Sequence, residues 1–271
     1  MPRLLVVVLL ALGALLTGCG VDPAPKDLQR LSKWFWVHYD DASDEELADG
    51  ISKLNAATKE AKADEPIKGT VARLGKSDLE VVGLSAKEPS RARGFVVVTE
   101  FPCKLAQLEK IVIALNQDEL HPDTYKSYKR EYTSDLAKYQ ARDVSQLKWK
   151  VQLTTDPTIG APATESLLGG TRYIRSIDAD TTPYGAFLIS RTWLPEPAKF
   201  SEDGYALNQD YQIETWHERK PGRILHMFTV WRQGSFDVFD TEDDVFGNLM
   251  MNAFVDWDER VAELCKAGIP K

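Results

Sequence analysis

Thr241-Glu242-Asp243-Asp244-Val245-Phe246-Gly247-Asn248-Leu249-Met250-Met251-Asn252-Ala253-Phe254-Val255-Asp256-Trp257-Asp258 opens the stretch on which the fold turns. Val245, Phe246, Leu249, Met250, Phe254, Trp257, Val261 and Leu264 recur at the spacing of one helical face, and Gly268 with Pro270 ends the pattern. Thr241 with Asp244 three residues on marks its start. A helix this long and one-sided must be covered, and the residues before it supply the cover. Residues 146–155, 171–177, 185–194, 210–219 and 223–232 are rich in β-branched and aromatic side chains. They are punctuated by Asp156-Pro157, Gly169-Gly170, Pro195-Glu196-Pro197 and Pro221-Gly222. Strands in succession without helices between them predict an antiparallel meander.

Upstream, Phe95, Val96, Val97 and Val98 form a short β-branched run. Pro102 then stands at a helix start, before Leu105, Leu108, Ile111, Val112 and Leu115 at helical spacing. Tyr125, Tyr128, Tyr132, Leu136 and Tyr139 fit a helix, yet residues 128–133 also read as a strand paired with 148–154. We adopt a strand followed by a helical turn. Nearer the N-terminus, residues 26–39 carry Leu28, Leu31, Trp34 and Phe35 on one side. Ser43 and Glu46 then form a capping box before Leu47, Ile51 and Leu54. These two helices predict a hairpin. A short strand is expected at 69–73 and a helical turn at 78–83. The polar loop 85–93 would separate an N-terminal helical unit, 26–93, from an α+β domain, 94–271.

The order strand, helical segment, antiparallel strands, long terminal helix resembles the helix-grip fold of the START and Bet v 1-like superfamily over residues 94–268. The resemblance rests on element order and implies a curved sheet wrapped around the C-terminal helix, with a cavity between them. The fold class expected is therefore α+β: an antiparallel sheet gripping a long C-terminal helix, preceded by a helical hairpin.

The leader tells where the protein works. Met1-Pro2-Arg3 precedes an apolar run from Leu4 to Leu16, too short to span a bilayer and typical of a secretory signal. Its ending, Leu16-Thr17-Gly18-Cys19, resembles the lipobox of bacterial lipoproteins. That resemblance implies cleavage before Cys19, removal of residues 1–18, a thioether-linked lipid on Cys19, and acylation of the new amino terminus. Residues 19–25 would then be a short tether to the bilayer, and Gly20 after the cysteine favours the outer membrane. The alternative is an ordinary signal peptide with Cys19 incidental. Several acyl chains hold nearly permanently where one binds reversibly.

The net charge of −8, without any basic run, argues against nucleic acid or an anionic lipid surface as partner. Of the three cysteines, lipidation would use Cys19. Cys103 and Cys265 remain, and in an oxidising compartment they are disulfide candidates. The helix-grip resemblance adds that both sit where the first helix after the strand would support the end of the terminal helix.

Chemistry is harder to find. A turn centred on Pro221-Gly222 would set His217 opposite His226. Tyr211, Ile213, Thr215, Phe228, Val230 and Arg232 would share that face, with Trp216, Met227 and Trp231 on the other. Tyr211, Ile213, Thr215, His217, His226, Phe228 and Val230 are thus the candidate lining of a ligand cavity. Zinc would need a third ligand that this face does not offer, so structural histidines are the stronger reading. The tyrosines at 125, 128, 132 and 139 would line a polar pocket or pack half-buried. Trp34-Phe35-Trp36 reads as core in preference to a membrane-dipping patch. The acids Asp237, Asp240, Glu242, Asp243 and Asp244 lack the spacing of a calcium loop and suit a helix N-terminus. Glu214 and Glu218 are spaced for one strand face, a weak acid/base signal. No Gly-x-Ser-x-Gly, His-Glu-x-x-His, Walker or dinucleotide motif occurs, so no catalytic residue and no cofactor is assigned. Two readings stand: a lipid-anchored module holding a hydrophobic small molecule or lipid, and an interaction lipoprotein with a filled core acting through an envelope protein. A hydrolase or isomerase using His217 or His226 as general base is a weaker third.

Overall fold

The computed structural model describes residues 20–59, 65–85, 88–155, 162–175, 185–236 and 239–268. The apolar leader, Cys19, where lipidation is expected, and Asp237 lie outside them. The elements in chain order are α1 (Leu28–Val37), α2 (Asp44–Ala57), β1 (Ile67–Val71), α3 (Lys76–Glu80), β2 (Arg93–Pro102), α4 (Leu105–Val112) and α5 (Gln117–Leu120). There follow β3 (Tyr125–Tyr132), α6 (Leu136–Ala141), β4 (Gln146–Thr155), β5 (Ala163–Arg175), β6 (Ala186–Trp193), β7 (Lys199–Phe200), β8 (Tyr205–Lys220), β9 (Arg223–Phe236), β10 (Phe239–Asp240) and α7 (Asp244–Ala267). The protein is α+β. One antiparallel sheet runs in the order β1-β2-β9-β8-β6-β5-β4-β3, with β7 on β5 and β10 on β9, and α7 lies along one face. Among the described residues no helix is long and apolar enough to cross a membrane.

The other face is filled. Leu31, Phe35, Trp36, Leu47, Ile51 and Leu54 from α1 and α2 pack against Ile189, Ile213, Met227 and Trp231 of the sheet. The capping box of Ser43 and Glu46 starts α2, and the Asp27 side chain caps α1. At the other end of α1, Arg191 donates to the Trp36 carbonyl at 3.0 Å and Arg172 to the Tyr39 carbonyl at 2.5 Å. Cations at a helix C-terminus satisfy carbonyls that the helix cannot. β1 pairs with β2 from Ile67↔Val98 to Val71↔Gly94, and side chains of α1, α2 and β1 join those of β2, β6, β8 and β9 in one apolar cluster. Even residues 20–25 are docked. The Val21 amide donates to Glu46, Trp34 Nε1 donates to the Asp22 carbonyl, and Ala24 is buried.

Three local expectations change. Asp243, not Thr241, stands at the N-cap position of α7, its carboxylate accepting from the Asp240 amide, while Thr241 is buried and bonds Gly234 of β9. Val245 and Leu249, on the expected apolar stripe, are exposed. The third is register. β8 and β9 pair as Trp216↔His226 and His217↔Leu225, because an irregularity between Glu218 and Lys220 absorbs one residue beside the turn. A one-residue shift carries every side chain of one strand to the opposite face relative to its partner.

Candidate functional site

Between the sheet and α7 lies a cavity of about 780 Å³. Strands β3 to β6, β8 and β9 form its floor, α7 its roof and α5 one corner. Its wall is mainly apolar: Trp149, Val151, Leu153 and Leu167 from β4 and β5, Phe228 from β9, and Phe246, Met250, Phe254 and Trp257 from α7. Charged or titratable groups are set into this wall: Arg130, Glu165, Glu214, His226 and Arg232 on the sheet, and His121, Asp123, Asp256 and Arg260 beside α5 and on α7.

His226 is the hub. Its Nδ1 lies 2.8 Å from Asp258 Oδ1 of α7, and its Nε2 lies 3.4 Å from Glu214 Oε2. Thr99 Oγ1 donates to the other Asp258 oxygen at 2.5 Å. The imidazole stacks on Trp216, centroids 4.8 Å apart. Burial disfavours the imidazolium, but Asp258 and Glu214 outweigh it and hold the pKa at about 9. At neutral pH His226 is therefore a cation and has no basic nitrogen to offer a general-base step. Glu214 is pushed above the usual carboxylate range by burial, against the pull of His226. Arg130 donates to the Val112 carbonyl at 2.5 Å and the Tyr128 hydroxyl at 3.0 Å, and sits 4.7 Å over the Trp149 ring. Arg232 Nε meets Asp210 at 2.5 Å. Glu165 is raised to about 7, first by burial and then by Asp210, with Arg232 opposing. His121, stacked on Trp257 at the α5 corner, is driven down to about 4 by burial and by Arg260, and is neutral.

The expected lining is divided between two faces. His226 and Phe228 line the cavity; Val230 shares their face but packs against Phe95 and Met250 in a filled corner. Tyr211, Ile213, Thr215 and His217 do not belong to the cavity, because the register shift turns them towards α1 and α2. His217 Nε2 lies 2.9 Å from Asn55 Oδ1 of α2 and is kept neutral, its pKa lowered to about 3 by burial and Arg219. The two histidines thus serve opposite faces. Among the described residues no cluster of His, Cys, Asp or Glu is placed to hold a metal. Two of the acids near α7 are bound to arginines, Glu242 to Arg73 and Asp244 to Arg93, each at 2.6 Å. Tyr125 and Tyr128 line the cavity, whereas Tyr139 is core and Tyr132 bonds the Ile113 carbonyl. Glu218 does not join Glu214 in the cavity; it accepts from the Leu105 amide at the start of α4 and from the Gly222 amide. Cys103 and Cys265 are joined, Cα atoms 5.4 Å apart, tying the end of α7 to the start of α4.

Sequence reasoning missed Glu165, Arg130 and Trp149. The signal for Glu165 was the alternation Ala163, Glu165, Leu167, hidden because Gly169-Gly170 read as a turn. Those glycines lie inside β5 at a close strand approach: a Cβ would stand 2.7 Å from the Arg191 carbonyl at Gly169 and 2.9 Å from the Leu147 carbonyl at Gly170.

No protein-family model matches the sequence, and no curated protein matches it. Among solved structures the chain is similar to human StAR-related lipid transfer protein 5, with a TM-score of 0.45 and 6% identity, over 83% of this chain and 97% of that one. It is also similar to the lipid transfer and protein localization domain of human StarD13, with a TM-score of 0.40 and 10% identity, over 82% and 97%. For a START superfamily protein from Mycobacterium smegmatis the TM-score is 0.36 and the identity 11%, over 64% and 97%.

Proposed function

We infer that this protein is a binding module that encloses a hydrophobic small molecule or lipid between its sheet and α7, and that it works tethered to a bacterial envelope membrane through acylated Cys19. The observation that carries the binding reading is the cavity itself. At about 780 Å³ it has the size of a small-molecule site and room for roughly two dozen waters at about 30 Å³ each, too much for a packing defect. Its lining couples aromatic and aliphatic walls to a few fixed polar groups, the composition that binds an apolar body and orients one end of it. A filled-core interaction protein would leave no such space. The tether reading rests on the Leu16-Thr17-Gly18-Cys19 ending of the leader.

Val151 provides the test. It is buried on β4 and lines the cavity, so Val151→Trp would occupy part of the space. Native mass spectrometry of protein purified without added lipid should find a copurifying small molecule on the wild type and none on the variant, with the far-UV circular dichroism of the two alike. Equal occupancy of the two proteins, or a wild type that carries nothing and takes up no lipid from an envelope extract, would refute the binding reading.

A further inference from the structure

Glu165 is a buried carboxyl that the cavity leaves without a hydrogen-bond partner among the described residues. It stands on β5 opposite Leu153 of β4, is only 8% exposed, lines the cavity, and makes no hydrogen bond or ion pair among the described residues. The cations around it are engaged elsewhere. Arg232 contacts Asp210 through Nε, His226 contacts Asp258, and Arg130 donates through Nη1 to the Val112 and Ala114 carbonyls and through Nε to the Tyr128 hydroxyl. Arg232 and Asp210 cancel, which leaves the Glu165 carboxyl as surplus negative charge at that end of the cavity. Burial therefore holds it near the midpoint of its titration, at about 7.

Three kinds of polar end group meet this site differently. A carboxylate or phosphate would face Glu165 and Asp210 with the Arg232 charge already taken. A hydroxyl would give Glu165 a donor but leave its charge uncompensated in a low-dielectric wall. An ammonium supplies donor and charge together, in a charge-assisted bond. We propose that the cavity is selective for an apolar molecule bearing an amino group, whose ammonium docks on Glu165. This rests on the cavity being a ligand site. Docking fixes Glu165 as the carboxylate, so the fraction of its carboxyl that is protonated beforehand gives its proton to the buffer, while the ammonium keeps its own.

Dodecylamine, dodecanol and dodecanoate share one apolar body and differ only in the end group. Calorimetry at pH 7 on the full chain, stripped of copurifying apolar molecules, should give at least tenfold tighter binding of dodecylamine than of the other two. Repeating it in two buffers of different ionisation enthalpy should show partial proton release with the amine alone. Glu165→Gln, nearly isosteric, should bring the amine to the level of the alcohol and abolish proton release. If the alcohol or the carboxylate binds as well as the amine, or the preference survives Glu165→Gln, the amine assignment fails and the binding module stands. If none of the three binds and the purified chain carries nothing, both fall. Proton release from the wild type reads the assignment even if Glu165→Gln does not fold.

Discussion

Asp258→Asn is the perturbation that best probes how α7 is held over the cavity. Asp258 is buried on the helix and accepts from His226 and from Thr99, so it links α7 to β9 and β2 at once. The free histidine titrates at 6.5, and in the fold His226 is held at about 9. At 1.36 kcal/mol per unit, that difference contributes about 3 kcal/mol to stability. The sign follows from a raised pKa: the contribution is fully present below about pH 6.5 and is lost as pH rises through about 9. Asn keeps the shape and an oxygen for the Nδ1 proton but removes the charge that keeps His226 protonated, leaving Glu214 as the remaining carboxylate beside it. The variant should therefore unfold about 3 kcal/mol more easily than wild type at pH 6, in line with breaking a buried pair. The gap should narrow to about 1 kcal/mol at pH 10. Urea titrations at pH 6, 8 and 10, followed by tryptophan fluorescence, measure it, and an NMR titration of His226 reads the pKa directly. A gap of equal size at pH 6 and pH 10, or a wild-type His226 that titrates at or below 6.5, would refute the reasoning.

His217 should behave in the opposite sense. Its folded pKa of about 3 lies below the free value, so the stability it contributes is present above about pH 6.5 and is lost as pH falls towards 3. His217→Gln should remove up to about 5 kcal/mol of that acid sensitivity, read as a shallower fall of the urea midpoint between pH 6.5 and 3. Cys265→Ser should cost about 2 to 5 kcal/mol, the chain-entropy value being near the top of that range for a separation of 162 residues. Thermal melting of variant and wild type measures it, and equal melting temperatures would show that the bond constrains nothing. Cys19→Ser should move the protein from the membrane fraction to the soluble fraction or leave an unprocessed precursor, as a blot of fractionated cells would show, and palmitate labelling equal to wild type would contradict the tether.

The parts of the fold legible in the sequence are those written in local periodicity. β4 and α7 announce themselves through alternation and a helical stripe, and the capping box at Ser43 places α2 to the residue. Periodicity reports which face of an element is apolar, not what lies opposite. Here both faces of the central strands are covered, one by α1 and α2 and the other by the cavity, so neither face of β8 or β9 reads as the wet one. The choice then rests on register, and the irregularity at Glu218 and Lys220 reverses it with no signature in composition. Glu165 was illegible for a related reason. A carboxylate on an alternating strand reads as solvent-facing, and only the fold shows that its side chain faces an enclosed space.

The two faces also divide the energetics. Apolar burial against α1 and α2 is dense, with Trp36, Phe35, Ile51, Ile213 and Trp231 almost wholly enclosed. The opposite face is hollow. A helix roofing a hollow forfeits part of the packing that would ordinarily hold it. α7 meets this with fastenings spaced along its length: Asp244 to Arg93 at its start, Asn252 to Lys68, Asp258 to His226 and Thr99 at mid-helix, and Cys265 to Cys103 at its end. Each is polar or covalent, so each can position the helix without filling the space beneath it. The fastening at mid-helix is the one set into the cavity wall, where His226 also faces Glu214. The group that holds the roof down therefore also lines the cavity.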